Sequence, residues 1–241
     1  MDIAYGTWLQ FPGWQRSESF VKDYLDTHRP NSVLEIGSGA NPTVKPDFLA
    51  GHPNLIYTTN DIEPNELAKA DASYQTLLQD FSEPNLKLEN TYDLIFSKMV
   101  NEHVKSGRNY YENILNALKP GGRTFHLFST LYALPFVANR VLPEWISSRL
   151  LSTFNPRDEY HLAKFRAFYS WSRGPTNSMI KKFESIGYEV VRYHGFFGHP
   201  YYRKRLGFLH QCEVVKANLL VRYPINFLTS YALLELRRPN G

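Results

Sequence analysis

The stretch SVLEIGSGANP, residues 32–42, holds the first residues that could do chemistry. An apolar run enters a Gly37-Ser38-Gly39 turn, and Glu35 stands two residues before the first glycine. Glycine has no Cβ, so its backbone can approach a ligand closely and can adopt positive φ. A dinucleotide fingerprint would place a third glycine at position 42, where this chain has Pro42. Glu35 would also repel a pyrophosphate. No Gly-Lys-Ser/Thr follows, which excludes a P-loop. A carboxylate beside a glycine turn suits a ligand that carries positive charge and no phosphate.

Alternating β and α segments must position that turn. After Trp8, Phe11 and Trp14, the spacing of Phe20, Val21, Tyr24 and Leu25 predicts a helix over 18–27, stopped at Pro30. Strands are expected at 33–36, 55–59, 76–79, 92–97 and 123–128, with helices over 46–50, 64–70 and 109–118. Lys119-Pro120-Gly121-Gly122 reads as a turn into the fifth strand. A helix over 177–185 and strands over 189–193 and 230–236 complete the pattern. This alternation predicts an α/β fold: a Rossmann-like, doubly wound, mostly parallel seven-stranded sheet with helices on both faces. One domain over 1–241 is expected, with a helical cover over 1–30 and a cofactor-binding core over 31–129. A lid insertion is expected over 130–175, and a C-terminal half over 176–241 with a second irregular stretch at 194–225. Such long insertions usually form lids or binding surfaces.

Five motifs in order over residues 32–128 resemble the class I S-adenosylmethionine-dependent methyltransferases. VLEIGSGANP looks like their first motif, E-x-G-x-G after the first strand. IYTTNDIEP resembles the second, with Asp61 at the strand end and Ile62 after it. LLQDFSEP is similar to the third, YDLIFSKMVNEHV to the fourth strand with its Glu-His, and LKPGGRTFHLF to the turn into strand five. The resemblance implies S-adenosylmethionine as cofactor, with S-adenosylhomocysteine as product. That ligand carries an ammonium group, a sulfonium centre and no phosphate, which agrees with Glu35, Gly37, Ser38 and Gly39. It also implies that Asp61 accepts hydrogen bonds from ribose hydroxyls and Asp80 from the adenine amino group. Phe81 would supply a backbone contact or pack on the ring, and Ser97, Lys98 and Met99 would flank the methionine portion. The structural alternatives are that Asp61 caps the following helix and Asp80 the loop after the third strand.

Methyl transfer to a hydroxyl requires loss of a proton during attack, a task that suits imidazole. His103 follows the fourth strand and is one candidate base, unless Glu102-His103 serves only to orient the local backbone. His161, in the expected lid, is the other, and His199 and His210 also lie in irregular stretches. His126 sits mid-strand and reads as a satisfied core residue. Spacing supplies no further ligand beside Glu102 and His103, so no metal site is expected.

Composition bounds the partners. The 241 residues carry a net charge of +4, 43% hydrophobic and 15% aromatic residues, and one cysteine, Cys212. An intramolecular disulfide and a cysteine-based zinc cluster are excluded. The absence of a signal-like N-terminus and of a long apolar run predicts a soluble cytoplasmic protein, at most peripheral at a membrane. Residues 137–151 read as a lid helix or an interfacial one. RYHGFFGHPYYRKRLGFLHQ, residues 192–211, interleaves aromatic and basic residues and could wall a sugar or lipid-phosphate pocket or stack on bases. SKMV lacks the Asn/Asp-Pro-Pro-aromatic arrangement that resembling base-amino methyltransferases carry, which argues against nucleic acid. The expected function is O-methylation of a small molecule, sugar or lipid-linked glycan by direct in-line transfer. A nucleic-acid methyltransferase, a nicotinamide-dependent oxidoreductase and a non-catalytic membrane- or partner-binding module are the competing readings.

Overall fold

A computed structural model of the chain describes residues 3–11, 16–131, 166–200, 202–203 and 206–240. Eight strands form one sheet: β1 (Ala4–Thr7), β2 (Ser32–Ile36), β3 (Ile56–Asp61), β4 (Gln75–Leu78), β5 (Tyr92–Lys98), β6 (Leu118–Ser129), β7 (Glu189–Phe197) and β8 (Tyr231–Arg237). Their order is β1-β7-β8-β6-β5-β2-β3-β4. β8 runs antiparallel to both of its neighbours, and every other pairing is parallel. The expected doubly wound sheet is present, with one strand more than the seven predicted. The extra strand is β1, in the segment expected to be a helical cover, and it pairs Ala4–Thr7 with His194–Phe197 at the sheet edge.

Helices α1 (Ser17–His28), α2 (Pro46–Leu49), α3 (Pro64–Leu67), α4 (Gly107–Ala117) and α5 (Asn177–Ser185) fall where the sequence pattern puts them. All five residues of β2 are buried, as a parallel strand covered on both faces must be. Successive side chains point to opposite faces. Leu34, Ile36 and Ile95 therefore join one core, packed by Tyr111 and Ile114 of α4 and Phe183 of α5. Val33, Leu94 and Phe96 join the other, packed by Val21 and Leu25 of α1.

Two expectations are revised. The Lys119–Gly122 turn is a bulge within β6: Tyr92 pairs with Leu118 and Leu94 with Arg123, so Asp93 alone faces four residues. Lys119 folds back across it, its Nζ 2.9 and 3.0 Å from the Asp93 carboxylate oxygens. The stretch 194–225 is not irregular. β7 continues to Phe197, because its end pairs with both β1 and β8. A sixteen-residue helix, α6 (Gly207–Arg222), then packs Ala217 and Leu220 against Phe197. Residues 137–151, read as a lid helix or an interfacial one, lie outside the described residues. Among the described residues no helix is long and apolar enough to cross a membrane.

Candidate cofactor cleft

The sheet order reverses between β2 and β5, and a cleft of about 410 Å³ opens there, at the carboxyl ends of β2, β3, β4 and β5. Ligands of open α/β sheets bind at such a switch point. The glycine turn leaves β2 with Gly37 at φ +69° and Gly39 at φ +49°, conformations that disfavour L side chains. A Cβ on Gly37 would stand 2.5 Å from Val100 Cγ2. The turn is tied to β3 by the Ser38 amide, which donates to the Asn60 carbonyl at 3.0 Å.

Seven of the expected residues line the cleft: Gly37, Asp61, Ile62, Asp80, Phe81, Met99 and His103. Asp61 Oδ1 accepts from the Ile62 amide at 2.8 Å and the Glu63 amide at 3.0 Å. Both amides precede α3, whose N-cap Glu63 makes no side-chain cap, so one Asp61 oxygen holds the turn after β3 and does not cap the helix. Oδ2 makes no hydrogen bond among the described residues and lies 3.1 Å from where a Gly39 Cβ would stand. Asp80 is built alike: Oδ1 accepts from the Ser82 amide at 2.7 Å. Asn60, buried between these strands, donates to the Leu77 and Gln79 carbonyls and so sets the spacing between the two carboxylates. Phe81 is buried in the core, and its carbonyl accepts from Asn113 Nδ2 at 2.9 Å.

Other expected residues sit elsewhere. Ser38 and Gly39 form the turn beside the cleft without lining it. Glu35 was expected to face a ligand cation, but its carboxylate is buried inside the protein. It accepts from the Thr43 amide at 2.8 Å and the Tyr57 hydroxyl at 2.6 Å. Burial pushes its pKa up, opposed by those hydrogen bonds and by the Lys98 charge. Ser97 and Lys98 line a separate void of about 10 Å³ beneath α1, with Phe20 and Thr43. Ser97 belongs to a buried polar network: its hydroxyl lies 2.8 Å from Asn101 Oδ1 and 2.8 Å from His126 Nδ1. His126, also 2.8 Å from Thr124 Oγ1, is the satisfied core residue expected, and burial pushes its pKa down to about 3. His161 lies outside the described residues.

His103 closes a short 3-10 turn, Asn101–His103. Its Nδ1 is 3.2 Å from the Arg166 carbonyl. A carbonyl can only accept, so Nδ1 carries the proton and a neutral ring holds its lone pair on Nε2. Glu102 beside it is buried, with Oε1 2.8 Å from Ser129 Oγ and Oε2 without a hydrogen bond among the described residues. Burial pushes its pKa up, opposed by the His103 charge. The Glu102 carbonyl accepts from the amides of Phe168 (2.8 Å) and Tyr169 (3.0 Å).

Sequence reasoning missed several walls. Lys105, Tyr110, Arg166 and Phe168 all line the cleft. Tyr110 reads as an ordinary apolar position of α4, yet it brings a buried hydroxyl to the cleft wall. Arg166 and Phe168 arrive from the far end of the expected lid, and spacing cannot show that the chain returns here.

Residues 34–126 match a family model described as a methyltransferase domain. No curated protein matches the chain. Among solved structures, Haemonchus contortus phosphoethanolamine N-methyltransferase 2, bound to phosphomonomethylethanolamine and S-adenosylhomocysteine, is similar over 94% of this chain at 16% identity and a TM-score of 0.55. The chain spans about half of that protein, 53% of its length. The YcgJ protein from Bacillus subtilis is similar over 93% of this chain and 99% of its own, at 14% identity and a TM-score of 0.55. The 4+2 cyclase SpnF is similar over 100% of this chain and 88% of its own, at 13% identity and a TM-score of 0.53. Residues 34–126 thus match a methyltransferase domain, and the sheet that carries them has the fold of these solved structures.

Proposed function

We propose that the protein uses S-adenosylmethionine to methylate an oxygen of a small molecule, a sugar or a lipid-linked glycan. The observation that carries the reading is the grouping of Gly37, Asp61, Asp80 and His103 around one cleft at the switch point. The residues fit the cofactor. Gly37 would keep the floor clear of side chains, Asp61 Oδ2 would accept from ribose hydroxyls, and Asp80 would accept from the adenine amino group. Met99 and Val100 offer an apolar wall for the methionine portion. When bound, S-adenosylmethionine supplies an electrophilic methyl group and leaves as S-adenosylhomocysteine.

The chain's remaining tasks are alignment and proton removal. Alignment of reacting groups can supply about 7–11 kcal/mol of a barrier. His103 supports oxygen as the acceptor atom, because a hydroxyl must shed its proton as it attacks and Nε2 can take it. The Arg166 carbonyl would then hold the imidazolium that forms. One solved structure of similar fold is an N-methyltransferase, which acts on nitrogen.

Purified protein incubated with methyl-labelled cofactor and an extract of its source cells tests the proposal. Label in the small-molecule, glycan or lipid fraction, on oxygen, is the expected result. Label on nitrogen or in nucleic acid would overturn the acceptor. Cofactor binding without transfer to any fraction would favour a non-catalytic module, and preference for NAD would overturn the cofactor.

A further inference from the structure

We infer that the outer face of α6 docks on an anionic lipid surface. This helix lies at the opposite end of the sheet from the cleft, against β1 and β7. Its inward side is narrow, with only Glu213, Ala217 and Leu220 buried. The apolar residues that would ordinarily face a core point outward instead. Phe208 is 81% exposed, Val215 59%, Leu219 56% and Tyr223 65%. At helical spacing Phe208, Cys212, Val215 and Leu219 fall in one stripe, with Tyr223 at its edge. Apolar residues scattered singly on a surface need no explanation, but a continuous stripe does.

Charge selects the occupant. From 203 to 228 the sequence has five cations, Arg203, Lys204, Arg205, Lys216 and Arg222, against one acid, Glu213. That acid is buried on the inner side and paired with Lys216 at 2.7 Å, so the two charges cancel and Arg203, Lys204, Arg205 and Arg222 carry the sequence's excess. Arg222 lies against the Tyr223 ring, 5.5 Å from its centroid, at the border of the stripe. An apolar stripe with a basic border and an aromatic edge is the pattern of a helix lying in the headgroup layer. Each basic residue near such a surface contributes roughly fivefold in affinity. A protein partner with an apolar patch would have no need of the excess positive charge. The face is separate from the cleft, so docking stands whatever the reaction proves to be.

Cys212 is exposed within the stripe and is the only cysteine, so it can carry an environment-sensitive fluorophore. The labelled protein is titrated with phosphatidylcholine vesicles, with and without phosphatidylglycerol, and the unlabelled protein is co-sedimented with both. The expected result is a blue shift and co-sedimentation with the anionic vesicles only. The double variant Val215→Glu, Leu219→Glu should lose at least tenfold in affinity, and Arg203→Gln, Arg222→Gln should lose a comparable amount that high salt also removes. Both pairs are exposed and should leave circular dichroism and thermal unfolding unchanged. Binding that the variants leave intact would assign the membrane contact to another part of the chain and overturn the inference. Emission that is already blue without vesicles would show the stripe covered by the chain itself. A blue shift that grows with protein concentration alone would show a second copy there. Either outcome overturns it, as does the absence of vesicle binding.

Discussion

The Glu35 carboxylate accepts a hydrogen bond from the Thr43 amide at 2.8 Å, across the glycine turn that separates them in sequence. The acid thus holds the loop after the turn from behind, and Tyr57 completes its coordination at 2.6 Å. Glu35→Ala should therefore cost about 2–4 kcal/mol of stability, since it strands a buried amide and a buried phenol. Chemical denaturation measures this. A variant of unchanged stability that binds the cofactor poorly would restore Glu35 to direct ligand contact.

Asp61→Ala should weaken S-adenosylmethionine binding by about 10- to 100-fold, the range for hydrogen bonds to a charged acceptor. Titration calorimetry reads the affinity. Because Asp61 also accepts two backbone amides, Asp61→Asn is the better control for the fold. Unchanged affinity in both variants would remove the ribose assignment.

His103→Gln should lower kcat by about 10²- to 10⁴-fold and leave cofactor affinity unaltered. Single-turnover kinetics at saturating cofactor reads the chemical step. An unaltered rate would show that the imidazole only fastens the Arg166 carbonyl.

His126 predicts an acid sensitivity of known sign. Its folded pKa, near 3, lies below the unfolded value of about 6.5. Below pH 6.5 the unfolded chain takes up a proton that the folded chain refuses. Stability present above that pH is lost as pH falls, at up to about 1.4 kcal/mol per unit. Urea unfolding from pH 7 to pH 5 should show this slope, and His126→Asn should reduce it. Equal slopes would mean that His126 is protonated in the fold.

Much of this architecture was legible because β2 and β5 bury both faces and so read as apolar runs. The pleat could also have placed Glu35: Leu34 and Ile36 join one core, so Glu35 must project with Val33 to the other, where Tyr57 lies. Helix α6 was illegible for the opposite reason. Its three buried positions include an acid and an alanine, while its larger apolar residues face out, so no inward stripe marks it. Strand β1 is four residues with a glycine, and only pairing with β7 makes it a strand. The acids at the strand ends were readable from local pattern. Tyr110, Lys105, Arg166 and Phe168 reach the cleft through tertiary folding, which no local pattern encodes.

The connection leaving β6 begins at Thr130, whose amide donates to the Ser230 carbonyl at 2.9 Å, and it returns at Phe168 and Tyr169, whose amides meet the Glu102 carbonyl. Both fastenings are main-chain bonds, indifferent to which side chains occupy the sequence between them. A foreign segment could therefore replace the sequence between Leu131 and Arg166 while Asp61 and Asp80 keep every backbone partner they now have and His103 keeps the Arg166 carbonyl.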